Sequence, residues 1–182
     1  MVFVCGIDEA GRGPIIGPLV LCGVVIEEGK ESRLTELGVK DSKLLTPAQR
    51  ARIAKVLEKE YQFHRVVVPA AEIDSAVEKN DGLNLNWLEA KKAADIINEL
   101  KPDKVVVDCP SNNTKAYTSY LRDLLKNKNA ELVCVHHADR DFPVVGAASI
   151  LAKVERDRLV DELKKKIKVD FGSGYISDPK TK

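Results

Sequence analysis

Apolar runs along this chain alternate with polar, periodically patterned stretches, and their order predicts a series of strands and helices. Residues 2–7, led by Val2-Phe3-Val4-Cys5, predict a buried strand. Pro18 to Ile26 predicts a second, closed by Glu27-Glu28-Gly29-Lys30. Because it starts so soon after the first, the two are expected to form an antiparallel hairpin with an elaborate turn. Leu34 to Val39 predicts a short turn of helix, and Asp41-Ser42-Lys43 a polar loop. Thr46-Pro47 reads as a helix start, an N-cap hydroxyl followed by proline at the first helical position. That helix is expected to run to Glu60 with Ile53, Val56 and Leu57 on one face.

A third strand is predicted over Phe63 to Val68, a short helix over Ala71 to Lys79, and a longer helix capped at Asn84 and running to Leu100, stopped by Pro102. Lys104 to Asp108 is apolar along its length, as a central parallel strand should be. Ser111-Asn112-Asn113-Thr114 caps a helix over Lys115 to Lys126, and Glu131 to Val135 is the fifth strand. A long helix is expected from Gly146 to Lys168, with Gly172-Ser173-Gly174-Tyr175 in a loop. This order implies an α/β fold, a mixed sheet of about five strands flanked by helices. No repeat, linker or low-complexity tract divides it, so residues 1–182 are expected to form one domain.

Composition narrows the picture modestly. The 182 residues are 44% hydrophobic and 31% charged, yet the net charge is only +1. No global basicity announces a polyanion, so a nucleic-acid partner would need acids gathered at a metal site with bases around them. The N-terminus lacks a basic stretch followed by an apolar one, and no window approaches a membrane span. Cys5, Cys22, Cys109 and Cys134 lie far apart in or beside apolar runs. They read as buried thiols in a reducing, cytoplasmic setting. His64, His136 and His137 form no zinc pattern with them.

The chemistry concentrates at strand ends. The first strand leads into Asp8-Glu9 and then Gly11-Arg12-Gly13-Pro14; the fourth ends in Asp108, and Asp139 lies just past the fifth. In α/β sheets, ligand sites gather outside the carboxyl ends of strands, so these four acids could converge. Consecutive strand residues point to opposite faces, so Asp8 and Glu9 share a site only if the backbone leaves strand geometry there. Crowded carboxylates repel and invite a divalent cation; an all-oxygen set suits Mg²⁺ or Mn²⁺. Two such ions about 3.5–4 Å apart could serve phosphodiester hydrolysis. Singly, each residue has a plainer role. Asp41, Asp108 and Asp139 fit turns or caps, Lys43 and Lys164-Lys165-Lys166 solvated faces, and the histidines packing or solvent. Tyr175, between loop residues, offers a ring for stacking.

Taken together, several segments resemble the type 2 ribonucleases H in an archaeal form. They are Gly6 to Pro14 with Gly17-Pro18, Asp41-Ser42-Lys43, Leu83 to Asn86, Asp108, and His136 to Asp139 leading into Phe142-Pro143-Val144-Val145. Ala147 to Val154 before Arg156-Asp157, then Gly172 to Tyr175 and Ser177-Asp178-Pro179, complete the set in family order. The resemblance implies a ribonuclease H-like fold. It also implies endonucleolytic hydrolysis of RNA in RNA–DNA hybrids and incision at single ribonucleotides in duplex DNA, leaving 5′-phosphate and 3′-hydroxyl ends. By motif match, Asp8, Glu9, Asp108 and Asp139 would be the catalytic, metal-binding acids, with Asp141 the competing acid in the last segment. Gly11, Arg12 and Gly13 match the turn that senses the ribose 2′-hydroxyl, the group that separates RNA from DNA. Tyr175 matches a tyrosine that stacks on the next sugar, and Lys43 a phosphate contact. The implied protein is a monomer with no membrane partner; a sliding clamp is a candidate partner that no motif here specifies.

The match has departures. His137 stands for lysine, Gly146 for a serine expected to cap the long helix, and Ile176 for a proline expected to stiffen Tyr175. The family usually continues in helical segments past Ser177-Asp178-Pro179, whereas this sequence stops at Lys182; it is expected either to be cut short or to grip its substrate more weakly. Two rivals are carried forward: another nuclease of the superfamily, cutting only long hybrids, and a catalytically inert hybrid-binding module.

Overall fold

The computed structural model describes residues 1–39, 44–78 and 84–182. The predicted Asp41-Ser42-Lys43 loop, Leu83 and the end of the short helix at Lys79 lie outside the described residues. Five strands form one mixed sheet in the order β3-β2-β1-β4-β5. They are β1 Phe3–Ala10, β2 Leu19–Glu27, β3 Gln62–Val68, β4 Lys104–Asp108 and β5 Glu131–Val135. The β1–β2 and β2–β3 pairs are antiparallel, while β1–β4 and β4–β5 are parallel. The expected hairpin and apolar parallel strand are therefore both present.

The described helices are α1 Ser32–Glu36, α2 Pro47–Glu60, α3 Ala70–Glu78, α4 Leu85–Leu100, α5 Thr114–Leu124, α6 Ala138–Asp141 and α7 Pro143–Ile167. Three caps follow from sequence. Thr46 accepts from the Gln49 amide in a reciprocal capping box, Asn84 from the Trp87 amide, and Asn113 from the Ala116 amide.

Strand alternation sorts the core into two layers. Val4, Ala10, Val20, Cys22 and Val24 face α2 and α7, whereas Cys5, Ile7, Leu19 and Leu21 face α4 and α5. Gly6 lets α7 sit directly on β1, because a Cβ there would collide with the Val144 carbonyl. Gly23 does the same for α4, where a Cβ would meet the Ile96 side chain. The two helices that carry much of the site are thus pressed onto opposite faces of adjacent strands.

Three expectations are corrected. β1 continues past residue 7 to Ala10, because Asp8, Glu9 and Ala10 pair with Cys22, Leu21 and Val20. Long-range pairing outweighs the weak strand preference of the acids. The four-residue α6 has no counterpart in the predicted elements; it is too short for periodicity to reveal. The long helix begins at Pro143, with Phe142 as its uncapped N-terminal neighbour, and ends at Ile167. Proline at the first helical position is itself a start signal. Gly146 accordingly lies inside the first turn, its amide donating to the Phe142 carbonyl, so a capping hydroxyl is not what its place lacks.

Candidate active site

The parallel pairing of β1 with β4 matches Ile7 with Val107, so the next residues, Asp8 and Asp108, sit side by side at the carboxyl ends. β5 lies beyond β4, with Val135 opposite Asp108, and the chain then turns through His136 and His137 into α6. His137 adopts a left-handed φ of 59°. The Ala138 amide donates to Asp108 Oδ1 at 3.3 Å, which brings Asp139 back over the sheet edge. Carboxylate oxygens of Asp8, Asp108 and Asp139 all lie within 4.8 Å of one another. Asp141, the competing acid, is exposed, while Asp139 is buried.

Glu9 goes elsewhere. Because β1 keeps its strand geometry through Ala10, Glu9 points to the α4 side while Asp8 points to the α7 side. Glu9 still lines the same cleft, but its carboxylate is not one of the three clustered ones.

Burial and crowding set the electrostatics. Desolvation pushes the Asp8 carboxyl up to about 6; the Asp108 charge adds to this, and a hydrogen bond from Ser149 opposes it. Asp108 is also raised, first by desolvation and then by the Asp139 charge, against a hydrogen bond from the Ala138 amide. Glu9 is raised well above its ordinary range by desolvation and by the charges of Asp8 and Glu89. Asp139 Oδ1 is buried with no hydrogen-bond partner. A buried carboxylate oxygen left alone is costly, and a hard cation satisfies it. Three converging carboxylates, one of which carries an orphaned oxygen, with no nitrogen or sulfur donor among them, fit Mg²⁺ or Mn²⁺.

This sets the sign of a pH effect in the metal-free protein. Asp8 titrates near 6 when folded and near 3.8 otherwise, so the folded state holds the extra proton between those values. Stability from this group is complete below about pH 4 and is lost as pH rises through about 6. With metal chelated, the melting temperature is expected to rise as pH falls from about 8 to about 5.5. A divalent cation at a hundred times its dissociation constant should add about 2.7 kcal/mol at pH 8, or roughly 5–10 °C, and less at the lower pH. A melting temperature that ignores both pH and metal would contradict the cation site.

The cleft around these acids is also lined by Gly11, Arg12, Gly13, Arg50, Lys153, Arg156, Asp157 and Tyr175. Acids at the centre with bases around them is the local clustering that a near-neutral chain requires. Lys153 Nζ donates to Ser149 Oγ at 2.8 Å, which links a cleft cation to the hydroxyl beside Asp8. Gly11 has a φ of 98° and is packed so tightly that a Cβ would collide with the Pro18 carbonyl. Only glycine suits both conditions.

Tyr175 reaches the same turn from the other end of the chain. The Gly174 carbonyl accepts from the amides of Ile15 (2.9 Å) and Ile16 (3.3 Å). A Cβ on Gly13 would lie 3.9 Å from the Tyr175 ring. The Arg156 guanidinium sits 4.8 Å from the ring centre and donates to the carbonyls of Ile16 and Ser173. Ile176 in place of proline does not leave this loop unsupported. The Asp178 amide donates to the Tyr175 carbonyl at 2.9 Å, Asp178 accepts from the Ser173 amide at 2.7 Å, and Thr181 Oγ1 accepts from the Gly174 amide at 3.1 Å.

The structure thus brings together Asp8, Asp108 and Asp139, with Glu9, Gly11, Arg12, Gly13 and Tyr175 lining the same cleft. Lys43 lies outside the described residues. Ser149, Lys153, Arg156 and Glu89 carry no role legible in the sequence alone. One signal was available: Arg156 falls on the stripe Ala148, Ala152, Val160, and Glu89 on the stripe Ala93, Ile96, so both are charges on apolar helix faces.

A family model described as Ribonuclease HII matches residues 5–182. The Ribonuclease HII of Methanocella arvoryzae is 42% identical over 178 residues, covering 98% of this chain and 78% of the relative. The crystal structure of the ribonuclease H2 from Pyrococcus horikoshii OT3 superposes with a TM-score of 0.88 at 43% identity, over 99% of this chain and 83% of that one. The PCNA:RNase HII complex from Archaeoglobus fulgidus gives a TM-score of 0.89 at 39% identity, over 99% and 85%. A match that begins within β1 and runs through the Tyr175 loop takes in every strand and helix described above, and by it this chain belongs to the ribonuclease HII family.

Proposed function

We propose that this endoribonuclease, besides hydrolysing the RNA strand of RNA–DNA hybrids, incises duplex DNA at single embedded ribonucleotides, and that residues 1–182 act as one monomeric catalytic domain. The observation that carries the reading is the meeting of the three-aspartate cluster with the Gly11-Arg12-Gly13 turn and Tyr175 in one cleft. The acids serve phosphodiester chemistry, and the turn and ring supply a means of recognising one ribose.

Asp8, Asp108 and Asp139 would hold Mg²⁺ or Mn²⁺, in a pair when substrate is bound, with Glu9 contributing from the neighbouring strand position. The cations would lower the pKa of an attacking water and offset charge on the scissile phosphate. Ser149 and the Glu9 amide, which donates to Asp8 Oδ1 at 2.7 Å, hold the Asp8 carboxylate in place. The Ala138 amide does the same for Asp108. In the reaction, a water oxygen bonds to phosphorus, the bond from phosphorus to the 3′-oxygen breaks, and that oxygen leaves as the hydroxyl after taking a proton. The products are a 3′-hydroxyl and a 5′-phosphate.

Specificity would come from the turn. Gly11 and Gly13 carry no side chain, so backbone can approach a 2′-hydroxyl closely, and the Tyr175 ring can stack on the next sugar. Arg50 and Lys153 line the cleft where backbone phosphates would pass, and contacts of that kind position a duplex without reading its bases. The presence of all three clustered aspartates favours this reading over an inert binding module. The Archaeoglobus fulgidus relative is described in complex with PCNA, which makes a sliding clamp a second candidate partner here. The four unpaired cysteines fit a reducing cytoplasm, and no helix among the described residues is long and apolar enough to cross a membrane. Cleavage of a DNA duplex holding one ribonucleotide tests the proposal; cutting of long hybrids alone would favour the hybrid-only nuclease.

A further inference from the structure

Glu89 is a carboxylate with no evident place in a core. It lies on the buried face of α4, only 1% exposed, between Leu88 and Ala90. Burial pushes it up to about 7, with the Arg12 guanidinium pulling it down and the Asp8 charge pushing it further up. A buried acid close to an acidic metal cluster works against that cluster, so its presence needs a compensating role. Its partner supplies one. Arg12 Nη1 donates to Glu89 Oε2 at 2.8 Å, and Arg12 Nη2 donates to Asn86 Oδ1 at 2.6 Å. Asn86 and Glu89 are three residues apart on α4, so one helix face offers two acceptors to the two terminal nitrogens of a planar guanidinium. The Arg12 side chain is 35% exposed, but both terminal nitrogens already have acceptors within the protein.

We propose that Glu89, with Asn86, is a positioning residue of the cleft. The pair holds the Arg12 guanidinium against α4, so that Arg12 anchors the Gly11-Arg12-Gly13 turn instead of gripping a substrate phosphate. The turn is then bounded on three sides: by β1 through Ala10, by the C-terminal loop through the Gly174 carbonyl on Ile15 and Ile16, and by α4 through Arg12. Lysine carries its donors on a single nitrogen and lacks the planar fork that meets the two acceptors with separate nitrogens. The inference rests on the turn being a substrate-contacting element, as proposed above.

Two measurements on the full chain test it, and neither depends on cleavage. The first is amide hydrogen exchange at Ile15 and Ile16, whose amides donate to the Gly174 carbonyl just past the turn. Arg12→Ala should speed it by about tenfold or more, and Glu89→Gln, which keeps an acceptor but loses the charge, by less, with exchange in the central strands unchanged. The second is the salt dependence of binding to an RNA–DNA hybrid with divalent ions chelated. A lost phosphate contact lowers the slope of log affinity against log salt by about 0.9. An anchoring Arg12 predicts that Arg12→Ala weakens binding with an unchanged slope, and that the double variant with Glu89→Gln binds no worse than Arg12→Ala alone. Ile15 and Ile16 amides that exchange at the wild-type rate in Arg12→Ala would overturn the inference. So would a slope reduced by one contact in Arg12→Ala together with tighter binding by Glu89→Gln, which would make Arg12 a phosphate ligand held back by Glu89. Should Glu89→Gln not fold, Asn86→Ala, which leaves no buried charge unpaired, carries the exchange test. Failure of the wild type to cut an embedded ribonucleotide would remove the proposed specificity and leave both of these readings standing.

Discussion

Asp108→Asn is expected to lower hybrid cleavage by about 10³-fold or more while leaving the protein folded. Asp108 belongs to the three-carboxylate cluster and is held by the Ala138 amide, a bond that an asparagine oxygen can still accept. What the substitution removes is a negative charge, and transition-state stabilisation by bound cations is worth several kcal/mol, each 1.36 kcal/mol being about tenfold in rate. The metal-free variant should melt no lower than the wild type, because burial and the Asp139 charge both disfavour the ionised Asp108 carboxyl. Lost activity with retained or raised melting temperature separates a catalytic acid from a structural one. Equal cleavage rates for variant and wild type would sink the metal cluster, whatever the thermal data show.

Gly174→Ala should cost about 10²-fold in incision at an embedded ribonucleotide. Gly174 has a φ of 84°, and a Cβ there would run into the Ile16 carbonyl. An L-residue at that φ costs about 1–2 kcal/mol before the collision is counted. Relief can come only by moving the loop away from Ile15 and Ile16, and Tyr175 goes with it. Displacing a substrate-positioning group by about 1 Å can alone cost 10² in rate. Because the loop lies outside the sheet and its two hydrophobic layers, the global melting temperature should fall much less than the rate. A rate ratio between variant and wild type near one, on the same duplex, would mean that the loop is not part of the recognition surface.

Much of the fold was legible in the chain because its signals are local. The apolar runs at Val105-Val106-Val107 and Leu19 to Ile26 need no partner to be recognised as strands, and Thr46-Pro47, Asn84 and Asn113 announce helix starts by hydrogen bonds made within four residues. What could not be read depends on contacts distant in sequence. Asp8 and Glu9 remain in a strand because β2 pairs with them, and that pairing sends their carboxylates to opposite faces. The site divides in the same way. Asp8, Asp108 and Asp139 could be suspected from their places at strand ends, which one topological rule brings together. Glu89 and Arg156 could not be assigned, since their partners Arg12, Ile16 and Ser173 lie 77, 140 and 17 residues away. Their one signature, a charge on an apolar helix face, shows that a partner exists without naming it.

The most direct measurement is incision of a DNA duplex containing one ribonucleotide, with Mg²⁺ or Mn²⁺ titrated and the ends of both fragments identified. The expected result is a single cut at the ribonucleotide that requires the cation, leaves a 3′-hydroxyl and a 5′-phosphate, and vanishes when the 2′-hydroxyl is replaced by hydrogen. Cleavage of long hybrids with the single-ribonucleotide duplex left intact at every cation concentration would contradict it.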